Sequence, residues 1–268
     1  ERRPEHPLVA AGGHAAFNPE PLADYVDFFV IGEGEEVIAE ISSVVADWKQ
    51  SGRTEGSREH VLHALALVPG VYVPAMYHVE YDGPAIGSVT AKYPDVPSRV
   101  EKRTIADLSL WPYPKRPLAP LTEVVHDRLS VEVFRGCTRG CRFCQAGMIT
   151  RPVRERSMAT VADMVQRGLE ATGYEEIGLL SLSSADHSEI GAIAKGLADR
   201  YEGTETSLSL PSTRVDAFNI DLANELSRNG RRSGLTFAPE GGSERIRRVI
   251  NKMVTEEDLV RTVSAAFA

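Results

Sequence analysis

The sequence predicts an α/β fold whose second half consists of β/α repeats around a parallel sheet or barrel. After Leu129, short apolar runs alternate with segments that have helical periodicity, and two of those segments end at glycine, the residue most common after a helix C-terminus. The predicted strands cover residues 130–134, 177–182, 207–210 and 234–238. The predicted helices cover residues 160–172, 189–201 and 220–229, with two more starting at Ser243 and Thr255. Parallel strands joined by right-handed crossovers form a sheet or barrel, and this series is too short to close one.

The amino-terminal residues predict a smaller α/β segment. An apolar run over residues 7–11, a Gly12-Gly13 turn, a second apolar run over 28–31 and a helix over 35–49 indicate parallel strands. The polar residues 51–57 indicate a linker. We therefore expect a first domain over residues 1–56.

The middle of the chain predicts a hairpin and an extended connector over residues 57–128. The runs at 71–73 and 77–81 have β character, and Asp82-Gly83 is a favoured turn pair. Prolines are too frequent after the hairpin for a helix or a central strand. They are Pro94, Pro97, Pro112, Pro114, Pro117 and Pro120. The third domain is then expected over residues 129–268.

Composition indicates a globular protein. Of the 268 residues, 42% are hydrophobic and 25% charged, and no apolar run approaches the roughly 18 residues of a membrane span. The chain has no secretory signal pattern, so we expect a soluble, cytoplasmic protein. Its net charge of −8 gives no indication of bulk nucleic-acid binding, although a local basic groove is compatible with it. The chain starts at Glu1 and stops inside a predicted helix, so we expect a fragment of a longer protein.

Three cysteines form the strongest motif. Cys137, Cys141 and Cys144 have the spacing C-x3-C-x2-C, and Gly136 and Gly140 allow the backbone to fold tightly around them. The odd number and close spacing argue against disulfides. Thiolates suit zinc or an iron–sulfur cluster. Structural zinc needs four ligands, whereas a 4Fe-4S cluster with three cysteines keeps one iron open. A non-catalytic zinc module remains the alternative.

This loop resembles the signature of the radical S-adenosylmethionine (SAM) superfamily. It follows the first strand of a β/α series, and an aromatic residue, Phe143, precedes the third cysteine. The resemblance implies a partial (β/α) barrel in which Cys137, Cys141 and Cys144 bind three irons of a 4Fe-4S cluster. The fourth iron then takes the amino and carboxylate groups of SAM, and one electron cleaves SAM to a 5′-deoxyadenosyl radical. It also implies an electron donor such as flavodoxin or ferredoxin, and small-molecule cofactors.

The same resemblance implies further cofactor-binding residues, each with a purely structural alternative. Phe143 is one of them. Ser183 and Ser184 follow the second strand, where the superfamily often binds the amino end of SAM; alternatively they start a helical turn. Arg214 follows the third strand and suits the SAM carboxylate, or else it is solvated. Glu240, in a turn like that of methylthiotransferase relatives, is a polar contact or a helix-start carboxylate.

Six arginines lie between residues 135 and 156, with one acid, Glu155. Such a cluster in an acidic protein indicates a nearby anion: the metal cluster, the SAM carboxylate, a cobalamin phosphate or a nucleic-acid backbone. A solvated loop is the alternative. A methylthiotransferase-like enzyme acting on RNA is accordingly a second functional hypothesis. The arginines are Arg135, Arg139, Arg142, Arg151, Arg154 and Arg156.

Residues 12–36 resemble the last part of the flavodoxin-like cobalamin-binding domain that precedes many radical SAM barrels. The resemblance implies that Gly12 and Gly13 let the backbone approach the nucleotide tail of cobalamin; alternatively they form only a tight turn. The D-x-H-x-x-G pattern of some cobalamin proteins is absent, and the lone His14 is more typical of a solvated loop. With the cysteine loop, nearly the whole chain resembles a bacterial family of cobalamin-binding-type radical SAM proteins. Methyl or group transfer with cobalamin in the full-length protein is the corresponding expectation, with an unknown substrate.

Overall fold

The structure, a computed structural model, describes residues 3, 6–52, 58–211, 213–217, 220–229 and 236–267. The chain forms two compact units, Glu1–Ala106 and Asp107–Ala268. The strands are β1 Ala10–Ala11, β2 Phe28–Val30, β3 Val71–Tyr72, β4 Tyr77–Asp82, β5 Ala85–Ala91, β6 Leu129–Glu132, β7 Phe134–Arg135, β8 Arg154–Glu155, β9 Glu176–Leu180 and β10 Ser207–Ser209. The α-helices are α1 Gly34–Gln50, α2 Arg58–Ala66, α3 Gln145–Ile149, α4 Met158–Thr172, α5 Ile190–Arg200, α6 Ile220–Leu226, α7 Glu244–Val249 and α8 Glu256–Phe267.

The first unit is an α/β layer. Strands β1 and β2 pair in parallel, as predicted, while β3 pairs antiparallel with β2. Helix α1 packs on this sheet because Val37, Ile41 and Trp48 recur on one helical face and are buried. The amino-terminal α/β segment and its helix are therefore confirmed.

The first unit extends beyond the predicted linker. Phe29 and Val37 before that linker share one hydrophobic core with Leu65, Val73 and other side chains after it. The compact unit consequently reaches Ala106, whereas the sequence divides the chain at residues 56 and 128. The difference arises because residues after the predicted linker pack against β2 and the first helix in the same core. The polar composition of residues 51–57 does not reveal this tertiary contact. The boundaries at 56 and 128 stay predictions about domains.

The predicted hairpin is present. Strands β4 and β5 pair from Tyr77↔Ala91 to Asp82↔Ala85, and Gly83 takes a positive φ of 59° in the turn. Residues 93–128, all described, contain no α-helix and no named strand; one 3-10 helix, Leu108–Leu110, interrupts them. The proline-rich connector is thus irregular, as predicted.

The second unit contains a three-stranded parallel sheet in the order β10-β9-β6. Leu129 pairs with Ile177 and Leu208 pairs with the same residue from the other side. Helices α4 and α5 follow β6 and β9 along the chain, which gives β/α repeats. Helix α4 begins at the Ser157 N-cap, whose hydroxyl accepts a hydrogen bond from the Thr160 amide, and it ends at Gly173 with φ 73°.

The first predicted strand of this unit is divided in two. Residues up to Glu132 belong to the parallel sheet, whereas β7 pairs antiparallel with β8. The buried Val133 lies at the change of partner: its amide bonds to Leu180 O, and its carbonyl accepts from the Arg156 amide. The β7–β8 pair therefore brackets the cysteine loop at both ends.

The fourth predicted strand, over 234–238, is not seen in the described residues. Gly234 and Leu235 lie outside them, and residues 236–239 belong to no strand. Helices α7 and α8 begin at Glu244 and Glu256, one residue after the predicted starts. The α/β fold with a parallel sheet is otherwise confirmed. In the described part of the chain, we find no helix with the length and apolar character of a membrane span.

Candidate functional site

The cysteine loop lies at the carboxyl edge of the parallel sheet. It leaves β7, just after β6, and runs to α3. The turn after β9 carries Asp186, and the turn after β10 carries Arg214 and Asp216. Because parallel strands present their carboxyl ends at one edge, these three turns meet there, which is the usual site location in barrels and open sheets.

The three cysteines are free thiols, and each sulfur accepts one hydrogen bond. Cys137 and Cys141 are buried and Cys144 is half-buried. The Arg139 amide donates to Cys137 Sγ at 3.4 Å, and the Gly147 amide donates to Cys144 Sγ at 3.3 Å. Cys141 Sγ accepts from Nη1 of Arg214 at 3.7 Å. Such donors suit thiolates that carry negative charge.

Two glycines explain how the loop closes so tightly. Gly136 has φ 97°, and a Cβ there would lie 2.7 Å from Pro152 O and 3.0 Å from Thr150 O. A Cβ on Gly147 would lie 3.4 Å from Cys144 Sγ and 3.7 Å from Cys137 Cβ. Cys137 and Cys144 therefore both lie close to Gly147 in α3, within ordinary contact distance of a side chain at that position.

The loop carbonyls are held by arginine side chains. Nε of Arg151 donates to Cys137 O at 3.1 Å, and its Nη2 donates to Arg139 O at 3.0 Å. Arg154 donates to Pro152 O and Thr150 O on the same turn. These guanidinium groups satisfy backbone acceptors that a short irregular loop would otherwise leave unpaired.

A second clasp comes from the end of α7. Nδ2 of Asn251 donates to Gly140 O at 2.8 Å, and the Arg142 amide donates to Ile250 O at 2.9 Å. Asn251 adopts the left-handed region, φ 58°, which asparagine tolerates better than most residues. The Arg142 side chain also donates to the carbonyl of Val249. The cysteine loop is thereby tied to a segment more than 100 residues away in sequence.

An ion-pair chain joins the three turns. Arg139 pairs through Nε and Nη2 with Asp186, and through Nη1 with Asp216 Oδ2 at 3.0 Å. Asp216 also holds Arg214, with Oδ1 2.9 Å from Nε and Oδ2 3.1 Å from Nη2. The Ser183 hydroxyl donates to Asp186 at 2.7 Å. We call Asp186, Arg139, Asp216 and Arg214 the ion-pair chain; its last member contacts the Cys141 sulfur.

The electrostatics of this chain follow from its partners. The hydrogen bond to Asp186 is the main cause that raises the pKa of Arg139. Burial alone would raise the pKa of Asp186, but Arg139 and Ser183 outweigh it and the pKa is lowered. Burial would lower the pKa of Arg214, and Asp216 more than offsets it. Arg139, Asp186 and Arg214 are therefore charged at neutral pH.

The six arginines for which a nearby anion is predicted are engaged by the protein itself, and the anion stays a prediction. Every one of these guanidinium groups has a partner within the protein. Arg139 is paired with Asp186 and Asp216, and Arg135 and Arg156 share Glu132. The other three, Arg142, Arg151 and Arg154, bind backbone carbonyls. The arginines thus bind carbonyls and carboxylates of the protein itself. Some of these partners are near in sequence, as Glu132 is to Arg135, and others are distant, as Asp216 is to Arg139.

The other predicted cofactor residues occupy different surroundings. Ser184 is fully buried, and its hydroxyl bonds to Leu179 O at 2.8 Å; Ser183 is also buried. Phe143 exposes 55% of its surface on the loop. Glu240, with φ 65°, accepts from Nζ of Lys252 at 3.1 Å. No observation tests their roles with a cofactor, which stay predictions.

The first unit contains Gly12 and Gly13 directly after β1. Gly13 has φ 85°, and a Cβ on Gly12 would lie 3.8 Å from the Val30 side chain. A cleft of about 580 Å³ in the same unit is lined by Phe17, Ile31 and other residues, and Ile31 immediately follows β2. The glycines therefore follow β1 and the cleft begins after β2, at the carboxyl ends of these parallel strands, where α/β sheets bind ligands.

The loop offers the kind of donors that an iron–sulfur cluster takes, three thiol side chains on one short segment. Each of the three sulfurs also accepts a hydrogen bond from an N–H group, and such hydrogen bonds are among the contacts by which a protein tunes a bound cluster.

The fold and the cysteine loop together define an α/β protein with an iron–sulfur type of site, and family profiles agree. The profile described as the Radical SAM superfamily matches residues 131–268, just over half of the chain. The profile described as Radical SAM proteins, N-terminal, matches residues 1–74. The chain belongs to the radical SAM superfamily.

Several known proteins resemble the whole chain. The uncharacterized protein MJ0966 of Methanocaldococcus jannaschii is 28% identical over 270 residues, which cover 99% of this chain and 50% of that protein. The radical SAM methyltransferase TsrM of Kitasatospora setae, solved with cobalamin and a [4Fe-4S] cluster, superposes with a TM-score of 0.60 at 17% identity, covering 96% of this chain and 49% of TsrM. The cobalamin-dependent SAM radical enzyme OxsB superposes with a TM-score of 0.55 at 15% identity, covering 96% of this chain and 34% of OxsB.

These likenesses support the fold at low sequence identity. The chain spans half or less of the length of each of these proteins. The predicted superfamily and fold class are confirmed by the profiles and by the shared architecture.

Sequence reasoning missed three residues of the site: Asp186, Asp216 and Asn251. A usable signal existed for the two acids, since each follows a predicted parallel strand by a few residues. Asn251 lies after a short helix, and no local pattern connects it to Gly140.

Proposed function

We propose that this protein is a radical SAM enzyme that cleaves SAM reductively to a 5′-deoxyadenosyl radical. A 4Fe-4S cluster, when bound, supplies the electron and an open iron for the SAM amino and carboxylate groups. The observation that carries this proposal is the set of three cysteine sulfurs on the loop after β6, each with its own N–H donor, in a chain of this superfamily. Cys137, Cys141 and Cys144 would hold the cluster.

The chain's own residues would prepare the site for this reaction. Arg151 and Asn251 fix the loop carbonyls, so the thiols need little rearrangement on metal binding. Phe143 is exposed beside the third cysteine and would offer its ring to the adenine. Ser183 would take part in binding the amino end of SAM and Glu240 would provide a polar contact, whereas the hydroxyl of Ser184 already bonds to a main-chain carbonyl.

Arg214 was predicted to pair with the SAM carboxylate. Its Nε and Nη2 are engaged by Asp216. A carboxylate would therefore have to share Nη1 with Cys141 or displace Asp216.

The first unit supports a cobalamin-dependent reaction, which we propose as methyl or group transfer with an unknown substrate. TsrM and OxsB, which share the fold, are described as cobalamin-bound or cobalamin-dependent. The cleft after β2 has aromatic walls at Phe17 and Tyr72, and two cations, Arg99 and Lys102, line it together with one acid, Glu101. Cations of this kind suit the phosphate of a nucleotide tail, and Gly12 and Gly13 would let the backbone approach it. The electron donor would be a flavodoxin or a ferredoxin, and we propose a cytoplasmic location.

The test is anaerobic incubation of the full-length, iron- and sulfide-reconstituted protein with SAM and dithionite. We expect mass spectrometry to detect 5′-deoxyadenosine from the wild type and none from Cys141→Ala, because that variant lacks one cluster ligand. The control is Arg167→Gln, which removes an exposed pair with Asp163 on α4 and should retain activity. Undiminished 5′-deoxyadenosine release by Cys141→Ala would refute the assignment.

A further inference from the structure

Arg214 is aimed at a cysteine sulfur by the residues around it. Its Nη1 lies 3.7 Å from Cys141 Sγ, while Nε and Nη2 are both held by Asp216. The side chain is only 12% exposed, and that of Asp216 is 13% exposed. The guanidinium plane is therefore fixed by a bidentate pair, and the remaining nitrogen is left pointing at the sulfur.

The rest of the ion-pair chain holds Asp216 in place from the other side. Arg139 belongs to the cysteine loop itself and binds Asp216 with one nitrogen and Asp186 with the other two. The position of Arg214 thus depends on a residue between the first and second cysteines. The loop and the turns after β9 and β10 set the Arg214–Cys141 contact together.

Charge balance gives this contact its effect. Two carboxylates, Asp186 and Asp216, neutralise the two guanidinium groups of Arg139 and Arg214. The ion-pair chain therefore adds little net charge near the cysteines. The N–H group of Arg214 that points at the Cys141 sulfur is a local influence on it that charge neutralisation does not cancel. A hydrogen bond to a cluster thiolate favours the more negative, reduced state and raises the reduction potential.

We propose that Arg214 is a positioning residue that donates a hydrogen bond to the Cys141 thiolate and raises the reduction potential of the cluster, with Asp216 and Arg139 fixing its direction. This inference rests on the proposed function, since it requires a cluster at the three cysteines. It assigns Arg214 a role toward the sulfur that is separate from any contact with SAM.

The experiment compares reduction potentials in the full-length, anaerobically reconstituted protein without SAM. Iron and sulfide per chain are measured first, and the reduced cluster is then followed by electron paramagnetic resonance against solution potential. We expect Arg214→Gln to load a cluster and to show a lower midpoint potential than the wild type. Arg214→Lys keeps the charge but cannot bind Asp216 with two nitrogens and still reach the sulfur, so its potential should also fall, by less.

The matched control is Arg135→Gln. Arg135 also flanks the cysteine loop, and its guanidinium pairs with the Glu132 carboxylate through Nε and Nη2, so the substitution removes a nearby positive charge that is held by a carboxylate. A shift in Arg214→Gln that exceeds the shift in Arg135→Gln supports the proposal. Equal shifts, or an unchanged potential in Arg214→Gln, overturn it.

Two further outcomes are informative. If circular dichroism shows that Arg214→Gln does not fold, Arg214→Lys is compared with the wild type and with Arg135→Gln instead. An unchanged reduction potential in Arg214→Lys then overturns the proposal. If the wild type itself loads no iron and sulfide, the proposed function fails, and this inference fails with it. If the wild type binds a cluster and all variants have the same reduction potential, only the proposed role of Arg214 is refuted.

Discussion

At the scale of single residues, glycine sets the shape of the cysteine loop. Gly136 combines a positive φ with backbone carbonyls directly beside the position of a Cβ, whereas Gly173 has a positive φ with nothing within 4 Å. The two positions therefore separate conformational strain from steric conflict.

We expect Gly136→Ala to lower the free energy of unfolding by about 2 to 4 kcal/mol, from left-handed strain plus overpacking. Gly173→Ala should cost about 1 kcal/mol from strain alone. Urea unfolding of the metal-free proteins measures both. Equal losses would show that the contacts with Pro152 and Thr150 carbonyls have no energetic effect.

A second prediction concerns the carboxylate of Asp186. Its pKa is lowered in the folded protein, so it binds fewer protons there than in the unfolded chain. The resulting stability is fully present above the unfolded value of about 4 and is lost as the pH falls toward the folded value.

We expect Asp186→Asn to be less stable at pH 7 by about 1 to 2 kcal/mol, discounted for partial exposure. Its stability should also fall less than that of the wild type between pH 6 and about 3.5, a range chosen from that unfolded value. Urea titrations of metal-free protein at each pH give the comparison. Asp199→Asn is the exposed reference: the hydrogen bond with Arg228 also lowers the pKa of Asp199, so its pH profile should flatten in the same direction but by less. Parallel pH profiles for Asp186→Asn and wild type would contradict the expectation.

At the scale of secondary structure elements, the end of α7 acts on a loop from a distant part of the chain. Asn251 and Ile250 supply one donor and one acceptor to the stretch between Cys137 and Cys144. The buried Arg247 keeps this end in shape, donating to Val254 O at 2.6 Å and Gly241 O at 2.9 Å. The loop is thus ordered by a helix end as well as by its own sequence.

Asn251→Gly isolates this effect, because glycine adopts the left-handed region without strain and lacks only the amide side chain. The lost hydrogen bond and the relieved strain are each about 1 kcal/mol, so overall stability should change little. The Arg142 amide, which bonds to Ile250 O, should exchange its hydrogen faster. Hydrogen exchange with mass spectrometry tests this, with the β9 peptide as internal control; unchanged exchange around Arg142 would count against the clasp.

At the scale of the whole molecule, each unit has its own hydrophobic core. One core is built around Phe29, Val37 and Leu65, and the other around Val131, Leu179 and Ile193. Each unit also contains one tryptophan, Trp48 in α1 and Trp111 in the second unit. A ligand that binds only the folded second unit should therefore stabilise that unit selectively.

We expect cluster reconstitution to raise the thermal unfolding midpoint reported by Trp111 in a Trp48→Phe variant. The midpoint reported by Trp48 in a Trp111→Phe variant should stay nearly constant. Fluorescence melts under anaerobic conditions, with and without iron and sulfide, provide the measurement. Removal of the metal by a chelator should reverse the shift, and equal shifts at both tryptophans would show that the units unfold together.

The sequence by itself determined the class of fold and the cysteine loop. Apolar periodicity located α1, α4, α5 and the three parallel strands, since burial patterns are written locally along each element. The spacing of Cys137, Cys141 and Cys144 marked the candidate metal ligands for the same reason, because all three lie within eight residues of one another.

Only the tertiary structure decided what surrounds those cysteines. Asp186, Asp216 and Asn251 contact loop residues that lie 47, 77 and 111 positions away in sequence, and the arginines of the loop are bound by these and other partners. Pairings of that range depend on which strand ends meet at the sheet edge. A local sequence pattern does not show which strand ends lie together, because the packing of the whole parallel sheet determines their positions.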